Sequence, residues 1–558
     1  MARRTRRRMA LSALAATAAA ALALAACGRS APGTSNNNGG GNNGGTTISP
    51  TKGLVVSTTP GTKPVSSVTW AVYRDVNSLD PIFAFDYPEN TADSLMCESL
   101  LKQSPDGSIG PGLATVSNPS PTTFVFTIQP GAKFWDGHPV TPADVVYSLD
   151  RAMSPKLGGF YTLVFSRVKS IAATGSNQVT ISLKQPDYWL EGELASMPGI
   201  VIEKAFAQKE GKKYGTPSGS IMCTGAYMLK SFVPGVGVTA VPNPHYWQPS
   251  VKPLVKQIII KGVASDTELT SGLSTGAIQG TFTSGGLSTL PQLKAGNAVN
   301  IYNGDGWSTD AFIVDNLKGV LGDVRVREAL SLALNRQAIV ANVYKGAALI
   351  PHWLSNPGVF GYGKTVFDKA YNASPAMAYN LAKAKKLIKE AGATGKTFTI
   401  GTSQQIANIA AVTGAYQAAA NAIGLKTVLK NVSAQNYINF FIDPKARAGT
   451  DGFLTVNYGD YADPAALLST LVVPGGSQNY DNFDDKQILN WLETARSTAD
   501  PSARAALVAK AEQRAAQILP WIPNVQPTNL LILSKNLTGS TASFAYMFAP
   551  WANSLGGR

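Results

Sequence analysis

Residues 397–432 read Thr397-Phe398-Thr399-Ile400-Gly401, then a helix-length stretch from Ile406 to Gly424, then Leu425 to Val432. The first and last segments are short and contain β-branched residues, as strands do. The middle segment has the length of a helix and stops at a glycine. Strand, helix and strand in this order predict a βαβ unit and therefore a mixed sheet. The expected fold class is α/β (α+β mixed) with several lobes.

Further elements are expected on both sides of this unit. Strands are predicted where β-branched residues run or alternate between turn residues: Val68 to Tyr73, Phe124 to Ile128, Gln178 to Leu183, Gly237 to Val241 and Gln257 to Gly262. Helices dominate the later half, and start and stop residues place them from Val324 to Gly346 behind Asp323, from Ser374-Pro375 through Lys389 to a stop at Gly392, and after Asp500-Pro501.

Composition bounds the class of protein. The chain has 558 residues, of which 44% are hydrophobic and 15% charged, so most of it is expected to be globular. The formal net charge of +14 includes five arginines between Arg3 and Arg8, and removing them leaves +9. A basic balance is compatible with nucleic-acid binding. It is equally ordinary for a secreted protein beside anionic envelope polymers, and this interpretation, without nucleic acid, is preferred.

The N-terminus has the pattern of an export signal. The arginines are followed by the apolar, alanine-rich stretch Ala10 to Ala26 and then by Cys27. A charged region, an apolar region and small residues before a cleavage site define a signal peptide, which we predict for residues 1–26. The apolar stretch is too short and too rich in alanine for a good permanent membrane span. Sec and twin-arginine export both fit.

Leu24-Ala25-Ala26-Cys27 resembles a bacterial lipobox, in which the cysteine becomes the lipidated first residue of the mature protein. Acyl chains such as palmitate would attach Cys27 to the membrane at about 0.8 kcal/mol per buried methylene. An ordinary signal peptide with a chance cysteine is the alternative. Residues 27–66, rich in Gly, Asn and Ser, are predicted to form a flexible tether.

With Cys27 acylated, Cys97 and Cys223 remain as an even pair in an oxidising compartment. A disulfide and two small buried hydrophobic residues both fit this pair. Neither cysteine has metal-ligand spacing, and His138, His245 and His352 are far apart, so no metal or other cofactor is expected.

Catalytic patterns occur without the context they need. Gly272-Leu273-Ser274-Thr275-Gly276 matches the G-x-S-x-G elbow, but a polar, helix-like segment precedes it where a buried strand is required. Gly395-Lys396-Thr397 lacks the upstream glycine of a phosphate loop. These observations favour binding over enzymatic chemistry.

Aromatic residues in irregular segments are candidate ligand contacts. Trp307, Trp353, Tyr458 and Tyr461 lie in contexts rich in Gly, Asn or Pro. Aromatic side chains on loops of a rigid scaffold commonly line ligand clefts. Packing in a core is the alternative for each of them.

A set of ordered motifs resembles the family 5 extracellular solute-binding proteins, the dipeptide and oligopeptide receptors of ABC importers. The motifs are Ser78-Leu79-Asp80-Pro81, Pro111-Gly112-Leu113-Ala114, Phe134-Trp135-Asp136-Gly137, the run from Pro139 to Leu149, Thr224-Gly225-Ala226-Tyr227, the run from Pro242 to Trp247, and the run from Asp323 to Leu330 with Asn335-Arg336. The resemblance extends from about residue 66 to the C-terminus.

The resemblance implies a two-lobed fold of the type II periplasmic binding proteins, with hinge segments and a subdomain inserted in the first lobe. Lobe I is expected at 67–90, 215–305 and 520–558, the insert at 91–214 and lobe II at 306–519. Closure of the lobes would enclose the solute. The implied partners are a solute, an ABC permease and its ATPase subunits, and the implied receptor is a membrane-tethered monomer on the extracytoplasmic face.

The resemblance also implies one ligand contact. The segment from Asn457 to Pro464 matches the family segment in which an aspartate pairs with the α-amino group of a peptide, and the matching residue is Asp460. Its neighbours Asn457, Tyr458 and Tyr461 are expected to share the site. Capping of the following helix is the alternative role for Asp460, although Asp463 is better placed for it.

The expected function is therefore capture of short peptides for import. An oligosaccharide or another organic solute on the same scaffold is the runner-up, because a fold does not fix its ligand. An envelope hydrolase would need a Ser, His and acid within hydrogen-bond reach. A structural or adhesive envelope protein would lack an enclosed cleft.

Cys27→Ala is expected to release the protein into the medium or to leave an uncleaved precursor, because the anchoring acyl chains have no other attachment point. Detergent partitioning and intact mass measure this outcome. Unchanged partitioning and an unchanged mature mass would rule out lipidation at Cys27.

Overall fold

The computed structural model describes residues 48–558. The predicted signal peptide, Cys27 and the first part of the predicted tether lie outside the described residues. Within the described range, no helix has both the length and the apolar character needed to cross a membrane.

Lobe I is built on a mixed sheet. Its strands stand in the spatial order Val299–Gly304, Asn529–Ser534, Gly280–Thr283, Val68–Val72, Ile258–Gly262, Gly237–Pro242 and Tyr227–Val233. Val68–Val72 is parallel to both of its neighbours, and the other pairings are antiparallel. The buried side chains of this central strand include Val68 and Trp70, each fully shielded from solvent.

Lobe II is built on a second mixed sheet, in the order Ala348–Leu349, Trp521–Pro527, Ser308–Val314, Gly452–Tyr458, Thr397–Thr402 and Lys426–Asn431. Thr397–Thr402 is parallel to Lys426–Asn431, and helix Ala407–Ile423 connects them. The predicted βαβ unit is therefore confirmed. The alanine-rich helix buries Tyr416 and Val412 against this sheet because its small side chains allow close packing.

The insert carries an antiparallel sheet in the order Ala114–Ser120, Thr123–Ile128, Gln178–Leu183 and Val168–Ala173. Strict alternation in Thr123–Ile128 buries Phe124, Phe126 and Ile128 on one face. Two short ribbons, Leu101–Gln103 with Ile109–Pro111 and Leu537–Thr538 with Gly556–Gly557, complete the strands of the described range.

The α-helices cover the sheets and, where the sequence provides a cap, begin at it. For example, Thr141 and Asp144 form a reciprocal capping box at the start of helix Pro142–Met153. The other α-helices are Tyr87–Met96, Leu190–Glu193, Lys204–Glu210, Asp266–Thr275, Leu290–Ala295, Val324–Ala333, Arg336–Asn342, Lys364–Ala373, Leu381–Glu390, Asn439–Ile442, Pro444–Arg447, Pro464–Val472, Lys486–Arg496 and Pro501–Ile518.

The five strands predicted outside residues 397–432 are confirmed to within a residue or two. The predicted helix caps Asp323 and Asp500 are confirmed as well. Two helix predictions are wrong in extent. The helix predicted from Val324 to Gly346 breaks because Asn335 caps a second helix, Arg336–Asn342. The helix predicted from Ser374 begins only at Leu381, since the Asn380 side chain provides the cap.

The prediction of a flexible tether up to residue 66 is wrong for its last part. Leu54 pairs with Asn303, Ser57 with Thr541 and Lys63 with Gly557. Thr58 accepts backbone hydrogen bonds from Gly539 and Ser540 on its buried hydroxyl. Polar composition predicted disorder, but these backbone groups find partners on lobe I, including the C-terminal segment.

Two predicted domain boundaries are also corrected. The boundary at residue 520 falls too early, because strand Trp521–Pro527 pairs with Ser308–Val314 in lobe II. The boundary at residue 91 falls inside helix Tyr87–Met96. A disulfide between Cys97 and Cys223, with their Cα atoms 5.0 Å apart, ties the end of this helix to the segment before strand Tyr227–Val233.

The chain crosses between the two sheets at residues 305–307 and again at residue 528. The two crossings pack side by side, and a Cβ on Gly306 would overlap the carbonyl oxygen of Pro527. Buried Asn356 donates hydrogen bonds to the carbonyl oxygens of Ser308 (2.9 Å) and Pro527 (3.0 Å). The first crossing therefore needs glycine for this close approach.

Gly306→Ala is expected to force the two crossings apart and to lower the free energy of unfolding by about 1–3 kcal/mol, as overpacking does. Denaturant unfolding of the described domain measures it. Gly414→Ala is the matched control, because Gly414 lies inside helix Ala407–Ile423 with open space around it, and there alanine should be neutral or stabilising. Equal effects of the two substitutions would contradict the packing argument.

Candidate functional site

Two adjoining cavities lie between the lobes, and five residues line both of them: Phe85, Phe441, Asn457, Tyr458 and Gln478. The first, called the aromatic cavity, has a volume of about 180 Å³. Lobe I contributes the ends of strands Val68–Val72 and Gly280–Thr283 to it, and lobe II contributes the start of helix Ala407–Ile423. Its aromatic side chains are Trp70, Tyr73, Phe85, Tyr87, Phe282, Tyr437, Phe441, Tyr458 and Tyr546.

The second, called the acidic cavity, has a volume of about 310 Å³. The insert provides Phe160, Tyr161, Trp189 and Glu193 as walls. Lobe II provides Asp460, Ser469, Thr470, Ser477, Tyr480, Glu493 and Arg496. A concave space lined by apolar and aromatic side chains with a few polar groups is the usual form of a small-molecule site.

Hydrogen bonds across the cleft hold the lobes together around these cavities. Tyr87 donates its hydroxyl to the carbonyl oxygen of Val456, and Tyr458 donates its own to that of Phe85, each at 2.9 Å. Gln103 of the insert donates its side-chain amide to the carbonyl oxygen of Asp460 at 2.7 Å. Each lobe thus fixes the backbone that presents the other lobe's cavity residues.

Ion pairs close the outer side of the acidic cavity. Arg496 of lobe II donates two hydrogen bonds to Asp187 of the insert along one edge of its guanidinium, with Nε–Oδ1 at 2.9 Å and Nη2–Oδ2 at 2.5 Å. Arg167 of the insert bonds Glu493 of lobe II at 2.5 Å. Both side chains of the Arg496–Asp187 pair are largely buried, so this pair is shielded from water more than a surface pair is, whereas Glu493 is half exposed.

Asp460 lies in the acidic cavity, and its carboxylate makes no hydrogen bond or ion pair with any residue of the described range. Burial alone raises its pKa to about 7. The capping role belongs to Asp463, whose carboxylate accepts the backbone N–H of Ala465 at the start of helix Pro464–Val472. Asp460 is therefore free to meet a ligand.

Asn457 and Tyr458 also reach the cleft, where they line both cavities. The Asn457 side chain donates to Gln478 and accepts the backbone N–H of Tyr458. The Tyr458 ring packs edge-on against Tyr87, with centroids 5.0 Å apart. Tyr458 thus joins the lobes and forms part of the ligand wall.

The other predicted contacts lie elsewhere, and we correct them. Trp353 is fully buried inside lobe II, where Nε1 donates to Ser374 and the ring packs on Tyr371. Trp307 is the last residue of the first crossing, where it packs on Phe544, and it lines neither cavity. Tyr461 is buried beneath Gly192 and lines neither cavity. For these three residues the core alternative holds, because a glycine- or proline-rich context does not fix which way a ring points.

Sequence reasoning missed most of the walls, among them Phe85, Tyr161, Trp189, Gln478 and Glu193. One signal was available, since the run Phe83-Ala84-Phe85-Asp86-Tyr87 concentrates aromatic residues in an irregular segment. The insert residues have no such signal, because only the tertiary fold brings them opposite Asp460.

The residues singled out for catalysis or metal binding do not form a catalytic site in the described range. Ser274 lies inside helix Asp266–Thr275, and His352 bonds the carbonyl oxygen of Ser374. His138 is the exception to isolation: its Nδ1 lies 2.9 Å from Asp136 and 3.1 Å from Glu203. The two carboxylates raise the His138 pKa, and the three groups are close enough together for a metal ion. A protonated His138 can bond both carboxylates without a metal ion.

Two lobes that are joined by short crossings and have cavities between them define a binding protein of the type II periplasmic class. The chain belongs to the bacterial extracellular solute-binding proteins, family 5, whose middle region matches residues 108–479.

Relatives and solved structures agree with this placement. The chain is 26% identical to the periplasmic oligopeptide-binding protein OppA of Escherichia coli K12 over 465 residues, covering 79% of this chain and 83% of that one. It superposes on OppA of Burkholderia pseudomallei with a TM-score of 0.76 at 22% identity, covering 88% and 99% of the two chains. It also superposes on AgaA of A. tumefaciens R10 in complex with agropinic acid, with a TM-score of 0.78 at 19% identity and 88% and 99% coverage.

Asp460→Asn is expected to stabilise the ligand-free protein more at pH 8 than at pH 5. Burial raises the pKa of Asp460 to about 7, so the folded protein keeps a proton that the unfolded chain releases near pH 4. The stability contributed by this carboxyl is present below about pH 4 and is lost as pH rises through about 7. The difference in melting temperature between variant and wild type should therefore grow with pH.

Asp368→Asn serves as the control, because its carboxylate is exposed beside Lys364. A difference for Asp460→Asn that does not change between pH 5 and pH 8 would show that the carboxyl is solvated.

Proposed function

We propose that the protein is the solute-binding receptor of an ABC importer on the extracytoplasmic face of the membrane, and that it captures short peptides. In this proposal the lobes close over the peptide, and a permease with its ATPase subunits receives it. Cys27 carries the lipid anchor, and no catalytic group or nucleic acid takes part. Membership of family 5 supports the receptor role.

One observation carries the peptide assignment: Asp460 presents a carboxylate without a protein partner to an enclosed cavity. An ionised carboxylate in such a place is costly unless it meets an opposite charge with good geometry. The α-ammonium of a peptide supplies that charge and several N–H donors. Asn457 and Gln478 offer amide groups nearby, and the aromatic cavity offers space for apolar side chains.

A second candidate is a non-peptide organic solute. It is favoured by one specific observation: of the described residues that line the two cavities, only Arg496 is basic, and it is paired with Asp187. A short peptide enclosed here would find no unpaired cation for its C-terminal carboxylate. The oligosaccharide alternative is less favoured, because the acidic cavity presents carboxylates where neutral hydrogen-bonding groups suit a sugar.

Asp460→Asn is expected to weaken peptide binding by about 2–5 kcal/mol, because it removes one partner of a charge pair in an enclosed cleft. Calorimetry with free and N-acetylated forms of one peptide measures the loss, and acetylation should cost the wild type a comparable amount. Asp368→Asn, outside both cavities, should bind as the wild type does. Equal affinity of the wild type for both peptide forms would exclude Asp460 as an amine site. Mass spectrometry of co-purified ligand would then identify the solute class.

A further inference from the structure

The acidic cavity contains a second carboxylate that the peptide proposal does not use. Glu193 ends the short helix Leu190–Glu193 of the insert and lines the cavity together with Asp460 of lobe II. The Glu193 carboxylate makes no hydrogen bond or ion pair with any residue between 48 and 558. Burial raises its pKa well above the usual value, and the charge of Asp460 raises it further.

A close contact between insert and lobe II brings the two carboxylates together. Gly192 packs directly on the ring of Tyr461, and a Cβ at this position would overlap the ring carbons. Glu193 directly follows Gly192 in the insert, and Asp460 directly precedes Tyr461 in lobe II. The contact between Gly192 and Tyr461 therefore brings the two carboxylates together, although neither Gly192 nor Tyr461 lines the cavity.

The remaining charged groups of the acidic cavity are already paired. Arg496 bonds Asp187, and Glu493 bonds Arg167. Arg496 lowers the pKa of Glu193 but is a smaller influence than burial and Asp460. The cavity thus holds two unpaired carboxylates and no unpaired cation among the described residues that line it. Two like charges in an enclosed space repel each other unless positive charge enters with the ligand.

The walls around the two carboxylates fit an organic cation. Phe160, Tyr161 and Trp189 line the same space, and aromatic faces attract ammonium and guanidinium groups, as the Arg496 guanidinium 5.5 Å from the centroid of the Trp189 ring shows. Trp189 is only 5% exposed, yet its Nε1 has no hydrogen-bond partner in the described range. Trp189 Nε1 and the carboxylates of Asp460 and Glu193 thus all lack a partner among the described residues, as polar groups in a structure seldom do.

We infer that Glu193 and Asp460 together form a site for a ligand end that carries two positive charges. This inference rests on the proposed function and makes it more specific: the peptide has a basic first residue. The α-ammonium binds Asp460, and the side-chain ammonium or guanidinium of that residue binds Glu193. Affinity for such peptides then depends on the second charge rather than on side-chain length.

Two tripeptides test this, Lys-Leu-Leu and norleucine-Leu-Leu, because norleucine has the lysine chain without its ammonium. Calorimetry at about pH 8, where both carboxylates ionise most readily, should show wild type binding the lysine peptide more tightly by on the order of tenfold or more. Glu193→Gln should remove this preference and leave norleucine-Leu-Leu nearly unaffected. Asp460→Asn should weaken both peptides alike.

Glu191→Gln is the matched control, since Glu191 lies on the same short helix, accepts a hydrogen bond from Asn118 and lines neither cavity. It should keep the full lysine preference. Thermal unfolding of each variant verifies the fold, and removing an unpaired carboxylate leaves no partner group uncompensated.

Equal binding of the two peptides to wild type, or a preference that survives Glu193→Gln, would overturn the inference. If neither peptide binds, the peptide function fails, and pentane-1,5-diamine is compared with pentylamine. A diamine preference that Glu193→Gln abolishes would uphold the two-charge site without a peptide. No diamine preference would overturn that site as well.

Discussion

The contact between Gly306 and Pro527 is the constraint on which the two-lobed arrangement depends. The strands of lobe II that flank it, Ser308–Val314 and Trp521–Pro527, continue into strands of lobe I within a few residues. Asn356 fixes both crossings by donating hydrogen bonds to the carbonyl oxygens of Ser308 and Pro527, the strand residues next to them. Any rotation of one lobe against the other must be absorbed by the few residues of these crossings, as in hinge-bending proteins.

Most charged groups around the acidic cavity have a partner of opposite charge, and two of them do not. Asp86 meets Arg74 and Tyr73, Glu493 meets Arg167, and Asp187 meets Arg496. Asp460 and Glu193 alone among the described acidic residues of the acidic cavity lack such a partner. Since burial of an unpaired charge is costly, the protein spends stability at this end of the site, as binding sites commonly do. Ligand charge can recover that cost.

The parts of the fold that depend on local pattern could be predicted from the sequence. The strand, helix and strand of residues 397–432 and the caps Asp323 and Asp500 follow from spacing and turn residues. Asp460 was identified from a family motif. Glu193 could not be found in this way, because its place in the same cavity as Asp460 arises from a contact between elements more than 250 residues apart in the chain. Trp353 shows the converse, since a ring in an irregular segment can still point into a core.

The topology of lobe I has a consequence for the order in which the protein can assemble. Strand Asn529–Ser534 lies between Val299–Gly304 and Gly280–Thr283, so the sheet has a gap until nearly the whole chain is present. The sheet of lobe II waits in the same way for strand Trp521–Pro527, which lies between Ala348–Leu349 and Ser308–Val314, whereas the last strand of the insert sheet is Gln178–Leu183. During synthesis the insert can fold first, and the sheets of both lobes must wait for residues beyond 520. A chain that ends before residue 521 would therefore lack a strand inside each of the two lobe sheets.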